Sequence, residues 1–465
     1  MKKLIYSALF AAVISTGCRK IEVDGSPGNN NGGNGPGGTE NTILEGRISE
    51  NMTLKAAYTY KLRGLVYVTN GAVLTIEPGT KIVGEKGKNG GLVITRSSKI
   101  IADGTAEKPI VFTSEEANPQ RGDWAGVVLL GNAPTNASFN GQQGVGEIEG
   151  GINNSDGLGL YGLGASSNPA DNSGILRYVR IEYAGYAFLP DKEINGLTFG
   201  GVGNGTVVDY VQVSYANDDS FEWFGGTVNC SHLISYRTLD DDFDTDNGFS
   251  GNVQFGIVVR DSAIADISKS EAFESDNDAS GSQLLPQTKA IFSNITAIGP
   301  RQNSGNIGNN LFLAAAQIRR NSSLSIFNSI FMGWPTGLVI DASKGYPTDH
   351  NFASGLNVQN TIIAGCAAPV IYSASTTSPT GATNATVLNW FKTGSFGNSI
   401  INANADVKLA TPFNYASPDL EPKNGSPALT GAAFSHASLV RGFIGVKYRG
   451  AVGPADNWYK NWTKF

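Results

Sequence analysis

Tyr178-Val-Arg-Ile-Glu-Tyr-Ala-Gly185 and Tyr210-Val-Gln-Val-Ser-Tyr-Ala-Asn217 are the same strand written twice, 32 residues apart, and Ser231-His-Leu-Ile-Ser-Tyr236 repeats it 21 residues later. A second unit recurs downstream. Asn294-Ile-Thr-Ala-Ile-Gly299, Asn328-Ser-Ile-Phe-Met-Gly333, Asn360-Thr-Ile-Ile-Ala-Gly365 and the looser Asn398-Ser-Ile-Ile-Asn402 follow at offsets of 34, 32 and 38. A fixed strand with a variable spacing describes a coil whose strands keep register while one loop per turn changes length. Upstream, Val73–Ile82, Gly91–Thr95, Ile100–Gly104 and Pro109–Thr113 are short strands broken by the turn pairs Pro78-Gly79 and Asp103-Gly104.

The expected fold is therefore all-β, a single-stranded right-handed parallel β-helix over residues 43–465. Coils stacked about 4.8 Å apart would give roughly a dozen turns and a rod about 60 Å long. A propeller is the rival, but its blades repeat at about 40 to 50 residues, longer than the offsets here. The repeated asparagines are expected to stack at a turn and hydrogen-bond along the ladder. Residues 132–173, rich in Gly, Asn and Ser, interrupt the pattern as a long loop, and Tyr161 with Leu158, Leu160 and Leu163 suggests that part folds back. The chain's end is expected to form a C-terminal cap.

Composition agrees. Of 465 residues 40% are hydrophobic, 16% are charged and 59 are glycine, which suits many short strands and turns. The net charge of −6 leaves no basic footprint for a nucleic-acid backbone, so cations or neutral sugars are the better partners. The three cysteines exclude a disulfide scaffold, and whether Cys230 and Cys366 pair stays open.

The first residues read as an address. Lys2 and Lys3, a short apolar run from Leu4 to Ile14 and Ser15-Thr16-Gly17-Cys18 resemble a bacterial lipoprotein signal over residues 1–17, with Cys18 as the lipidated residue. The run is too short for a permanent span, which needs about 20 residues. Residues 18–42 are dense in Gly, Asn and Pro and form the expected flexible tether. The expected location is the cell envelope, on the outer membrane by lipid anchor and possible exposure at the cell surface.

Gly122-Asp-Trp-Ala-Gly-Val-Val-Leu-Leu-Gly131, Asp209 through Gly226, Asp240-Asp-Asp-Phe-Asp-Thr-Asp-Asn-Gly248 and the terminal Trp458–Phe465 resemble a family of uncharacterised β-helix lipoproteins of Bacteroidetes. The resemblance covers most of the mature chain. It implies a pectin-lyase-like fold and an envelope location, with no established activity.

The chemistry of the chain concentrates in its acids. Asp218, Asp219, Glu222, Asp240, Asp241, Asp242, Asp244 and Asp246 lie about one coil apart in two groups. With an offset of 22, Asp218 stacks on Asp240, Asp219 on Asp241 and Glu222 on Asp244; with 21, Asp219 meets Asp240 and Glu222 loses its partner. Like charges at about 5 Å need protons or a cation between them, and oxygen-rich clusters suit Ca²⁺. Glu271, Glu274, Asp276 and Asp278 could join from the next coil. The spacing is not an EF-hand. Against a metal stands the plain reading in which each acid caps its own exposed turn.

Three functions fit. One is an envelope lipoprotein presenting a rigid β-helix that binds glycan or an outer-membrane protein, with Ca²⁺ at the acids and Trp223 and Arg237 as ligand contacts. Another is a polysaccharide lyase or glycoside hydrolase in an acidic groove, paired carboxylates or Arg237 and Arg260 supplying the chemistry. The third is a structural surface adhesin, for which a closed acidic cluster would be the sign. Trp124, Trp223 and Trp334 are candidate sugar platforms, with core packing the commoner use. His232, His350 and His436 are too scattered for a zinc site.

Overall fold

The computed structural model describes residues 41–465 apart from 190–191, 304–307, 375–379 and 457. The expected signal, Cys18 and nearly all of the tether lie outside the described residues. Thr42–Phe465 forms one compact unit. Among the described residues 26 strands join into one sheet, all paired in parallel, that winds as a β-helix, and eight more form four two-stranded antiparallel sheets. Among the described residues no helix is long and apolar enough to cross a membrane.

One face of the helix passes in order through Gly91–Ile94, Gly126–Leu130, Leu197–Gly200, Phe221–Phe224, Phe243–Asp246, Ser270–Ser275, Phe312–Ile318, Thr336–Asp341 and Ala368–Ser373. The other two faces are the two halves of longer strands such as Val207–Ser214, Asn229–Tyr236, Asn252–Val259 and Ile291–Ile298. Alternation sends Phe221, Trp223 and Phe243 inward, where they stack with Phe199 and Phe249 in a continuous core.

Each long strand bends at one left-handed residue. Tyr178, Tyr210, His232, Phe255, Asn294, Asn328 and Asn360 all have φ between 48 and 62°. Asparagine tolerates that conformation because its short amide bonds locally, whereas bulky residues there cost about 1–2 kcal/mol each. Ring stacking offsets the cost: Tyr178–Tyr210, Tyr210–His232 and His232–Phe255 centroids are 4.4, 4.2 and 5.0 Å apart.

The register corrects two readings of the repeats. Tyr210 stacks on His232 and Ser214 pairs with Tyr236, so the step between these strands is 22, not 21. Ile362 pairs with Ser399, which puts Gly397 (φ 65°) beside Asn360 and leaves Asn398 one residue out of the column. The asparagines also do less for one another than expected. Asn328 donates to Ala433 O and accepts from Ala433 N–H, and Asn294 donates to Tyr448 and Gly450 carbonyls.

Those partners belong to the chain's last segment, which runs as a strap along the flank. Gln212 exchanges two hydrogen bonds with the Lys464 backbone and Gln254 two with that of Ile444. Trp458 and Trp462 lie edge-on against the ring column. The C-terminal end of the core is covered by the helix Asn384–Phe391, capped by Thr383, through Val387 and Phe391.

The 132–173 excursion packs on the outer side of the first face. Ile148, Ile152 and Tyr161 bury against Val93, Val128, Leu130 and Phe224.

Candidate functional site

Period-two alternation that buries Phe221, Trp223 and Phe243 turns Glu222 and Asp244 outward, and the coil register aligns them. Glu222 pairs with Asp244 and Asp244 with Glu274, one carboxylate per coil along the outer side of the first face. At the turn before these strands a second column forms. Asn195 Oδ1 accepts the Asp219 N–H, Asp219 Oδ1 the Asp241 N–H, and Asp241 Oδ1 the Glu271 N–H, at 3.2, 2.7 and 2.6 Å. These acids do bond backbone, as the plain reading held, but that of the next coil in place of their own turn.

Glu222, Asp244 and Glu274 of the first column, Asp219 and Asp241 of the second and the turn residues Asp218 and Asp240 line a cleft of about 480 Å³, together with Glu149, Asn195, Asn217, Leu239, Asp266, Ile267 and Ser268. No Lys or Arg lines it among the described residues. Carboxylate oxygens approach within 4.8 Å of one another in three groups: Asp218, Asp219 and Asp240; Asp219, Glu222 and Asp244; Asp241, Glu271 and Glu274. Burial, reinforced for most of them by neighbouring acids, pushes every member with a resolved shift upward. Asp240 rises to about 7, Glu271 to about 7 and Asp244 to about 8. Asp219, Glu222, Asp241 and Glu274 are raised well above the ordinary carboxylate range. Such a site can hold protons or hard cations with oxygen ligands, and it lacks the His or Cys that zinc prefers.

The structure brings together Asp218, Asp219, Glu222, Asp240, Asp241 and Asp244, with the 22-residue stacking. Asp242 is not among them. It points into the core, where its carboxylate meets Arg260 at 3.1 Å and accepts the Ser235 hydroxyl, all with side chains at 0% exposure for the ion pair. Asp246 lies one step beyond the cleft, outside its lining, and caps Asn247 N–H at 2.5 Å. Glu274 joins the lining, paired with Arg319, and Glu271 approaches Asp241 and Glu274 without lining the cleft, whereas Asp276 is held by Arg319 and Arg320 and Asp278 closes a local turn with Ser280 and Ser282.

Trp223 corrects another expectation: at 0% exposure it backs the strand that carries Glu222 and cannot touch a ligand, and Trp124 and Trp334 are equally buried. Arg237 does not line the cleft; it covers the Tyr236 ring and faces Asp261 at 3.7 Å. Arg260 donates to the Leu239 and Asp240 carbonyls and so fixes the turn from inside. Cys230 and Cys366 are both free. His232 bonds Asp209, His350 meets Tyr346 and His436 caps Ser438 N–H.

Glu149, Asn195 and Asp266 were not legible as site residues. Glu149 arrives from the 132–173 excursion, whose fold-back the sequence signalled through Tyr161 with Leu158, Leu160 and Leu163; Tyr161 does bury against the sheet, but its apolar companions there are Ile148 and Ile152, and Leu163 is exposed.

A parallel β-helix with an outward row of carboxylates defines the class of molecule. Residues 46–400 match the pectate-lyase like beta helix domain family, and the chain belongs to it. No curated protein and no solved structure matches the chain.

Proposed function

We propose that the protein is a cell-envelope lipoprotein, held at the outer membrane through lipid on Cys18, whose β-helix takes up Ca²⁺ in the acidic cleft and through it binds a glycan. One observation carries the reading: two groups of carboxylates, Asp218 with Asp219 and Asp240 and Asp219 with Glu222 and Asp244, converge in one cleft, Asp241 and Glu274 line it as well, and no basic side chain among the described residues does. Buried like charges this close are stable only with protons or cations between them, and Ca²⁺ accepts six to eight oxygen ligands in flexible geometry. A bound cation can then complete its coordination with sugar hydroxyls or carboxylates. Membership of the pectate-lyase-like family supports a glycan over an outer-membrane protein as the ligand.

The lyase alternative draws less support. Arg237 stands outside the cleft and Arg260 is sealed in the core, so neither is in reach as a base. The cleft opens to solvent, which favours binding over a purely structural adhesin.

The test is a panel of acidic and neutral polysaccharides offered to the purified protein with CaCl₂ or with EGTA. Retention that EGTA abolishes is the expected outcome. Chain cleavage would move the reading to a lyase or hydrolase, and binding indifferent to Ca²⁺ would sink it. Cys18→Ser is expected to shift the protein from the membrane fraction to the soluble one, checked by immunoblot and mass spectrometry of the N-terminal peptide.

A further inference from the structure

We propose that a second cavity, beside the last coils, binds a sugar carrying a tetrahedral oxyanion, a phosphate or sulfate ester, with Lys408 and Lys423 on the oxyanion and Phe413 against the sugar ring. The cavity shares no residue with the acidic cleft and does not depend on the cation-binding reading.

Two positive charges stand together here. Leu409–Thr411 and Asp419–Pro422 form a short antiparallel pair in which Leu409 faces Pro422. One step further out the Lys423 N–H donates to the Lys408 carbonyl at 2.9 Å, so the two lysines are directly opposite. Leu409 and Pro422 are buried, and alternation turns both lysines to the other side, where they line one cavity of about 500 Å³. Like charges directly opposite each other destabilise a strand pair, and among the described residues no carboxylate pairs with either ammonium. In a chain with 40 Asp and Glu against 34 Lys and Arg, no acid lines this cavity or the adjoining one of about 300 Å³, where Arg301 adds a third cation, among the described residues. An anion bound between the lysines removes the repulsion.

Lys408 is held in place at a cost. Its φ is 55°, a left-handed conformation that long side chains disfavour, and its ammonium lies over Gly425, where a Cβ would come within 3.3 Å of it. Residues kept in such conformations gather at ligand sites. The turn Asn404–Val407 delivers it there, and Asn404 ties that turn to the coil behind, its amide donating to the Arg301 and Gln302 carbonyls at 2.9 and 3.0 Å.

The lining sets the ligand class. Lysine ammoniums meet phosphate or sulfate as point charges, whereas a planar carboxylate is best met by the fork of an arginine. Phe413 and Pro412 give the cavity an apolar wall. The half-buried Phe413 ring is seated on Gly333, where a Cβ would meet it at 3.0 Å, and stands edge-on to Tyr415 at 6.1 Å, so it is fixed as a platform for the C–H face of a sugar. Gln302, whose side-chain amide has no partner among the described residues, is left for hydroxyls. The volume lies within the usual range for small-ligand sites, about 300–1,000 Å³.

The experiment uses the full chain in detergent with EGTA, which keeps cations out of the acidic cleft. The phosphate and sulfate monoesters of glucose, glycerol phosphate, inorganic phosphate, glucuronate and glucose are titrated in calorimetrically. Saturable binding of the glucose esters is expected, tighter than that of glucuronate or glucose by about ten-fold or more and weakened by NaCl. Lys408→Asn, which suits the left-handed backbone, and Lys423→Gln are each expected to weaken it by about ten-fold or more without lowering the urea midpoint. Phe413→Ala is expected to bring the esters down to the level of inorganic phosphate. Glycerol phosphate or inorganic phosphate bound as tightly as the glucose esters would overturn the assignment to a sugar, and glucuronate bound as tightly would overturn the choice of oxyanion. No binding of either ester, or binding that survives both lysine variants, would overturn the site. Each of these outcomes leaves the cation-binding reading untouched.

Discussion

Stripped of divalent ions, the protein is expected to lose stability as pH rises from 5 to 7. Burial and neighbouring acids lift Asp240 and Glu271 to about 7 and Asp244 to about 8, against about 4 for carboxyls in an unfolded chain. Between those values the folded state holds protons that the unfolded state has released. The corresponding stability is fully present below about pH 4 and is lost as pH climbs through 7 to 8. Each excess proton changes stability by about 1.4 kcal/mol per pH unit. If the cleft keeps a single one, the loss from pH 5 to 7 is about 3 kcal/mol. Calcium at a thousand times its Kd restores about 4 kcal/mol. Because it competes with protons, its effect is larger at pH 7, so the slope flattens or reverses. The assay is the urea midpoint followed by tryptophan emission at pH 5, 6 and 7, in EGTA and in CaCl₂, for the wild type and for Asp244→Asn, which should show a shallower slope. A stripped protein whose stability is flat or rises over this range would refute the reasoning.

Asp242→Asn leaves Arg260 in the core without its carboxylate and should cost about 3–5 kcal/mol; a urea-measured loss below about 1 kcal/mol would mean that the Leu239 and Asp240 carbonyls suffice for the guanidinium. Gln254→Ala removes both bonds to Ile444 and should cost about 1–3 kcal/mol; limited proteolysis with mass spectrometry is expected to cut first in the strap beyond Ala433. Trp223→Phe should destabilise by about 0.5–3 kcal/mol yet leave calcium affinity unchanged, since the indole lies inside the core behind Glu222. A calorimetric change in affinity would place that ring in the site.

The sequence by itself determined the solenoid, the family-level fold and the six central acids. Strand repeats with variable spacing are local, and an aligned pair such as Glu222 and Asp244 needs only the step between coils. That step was narrowed to 21 or 22 by inspection, and parallel pairing selected 22 because Tyr210 stacks on His232. Which way each acid points was decided by the tertiary structure. Asp242 and Asp244 differ by two positions in a region rich in aspartate, yet one meets Arg260 in the core and the other faces the cleft, because the turn before Phe243 breaks the alternation. Glu149 reached the site, and the strap found the flank, through contacts between residues 73 and 252 positions apart, such as Glu149 beside Glu222 and Lys464 on Gln212. No local pattern encodes such separations; they follow from which apolar and amide surfaces the finished coils leave to be covered.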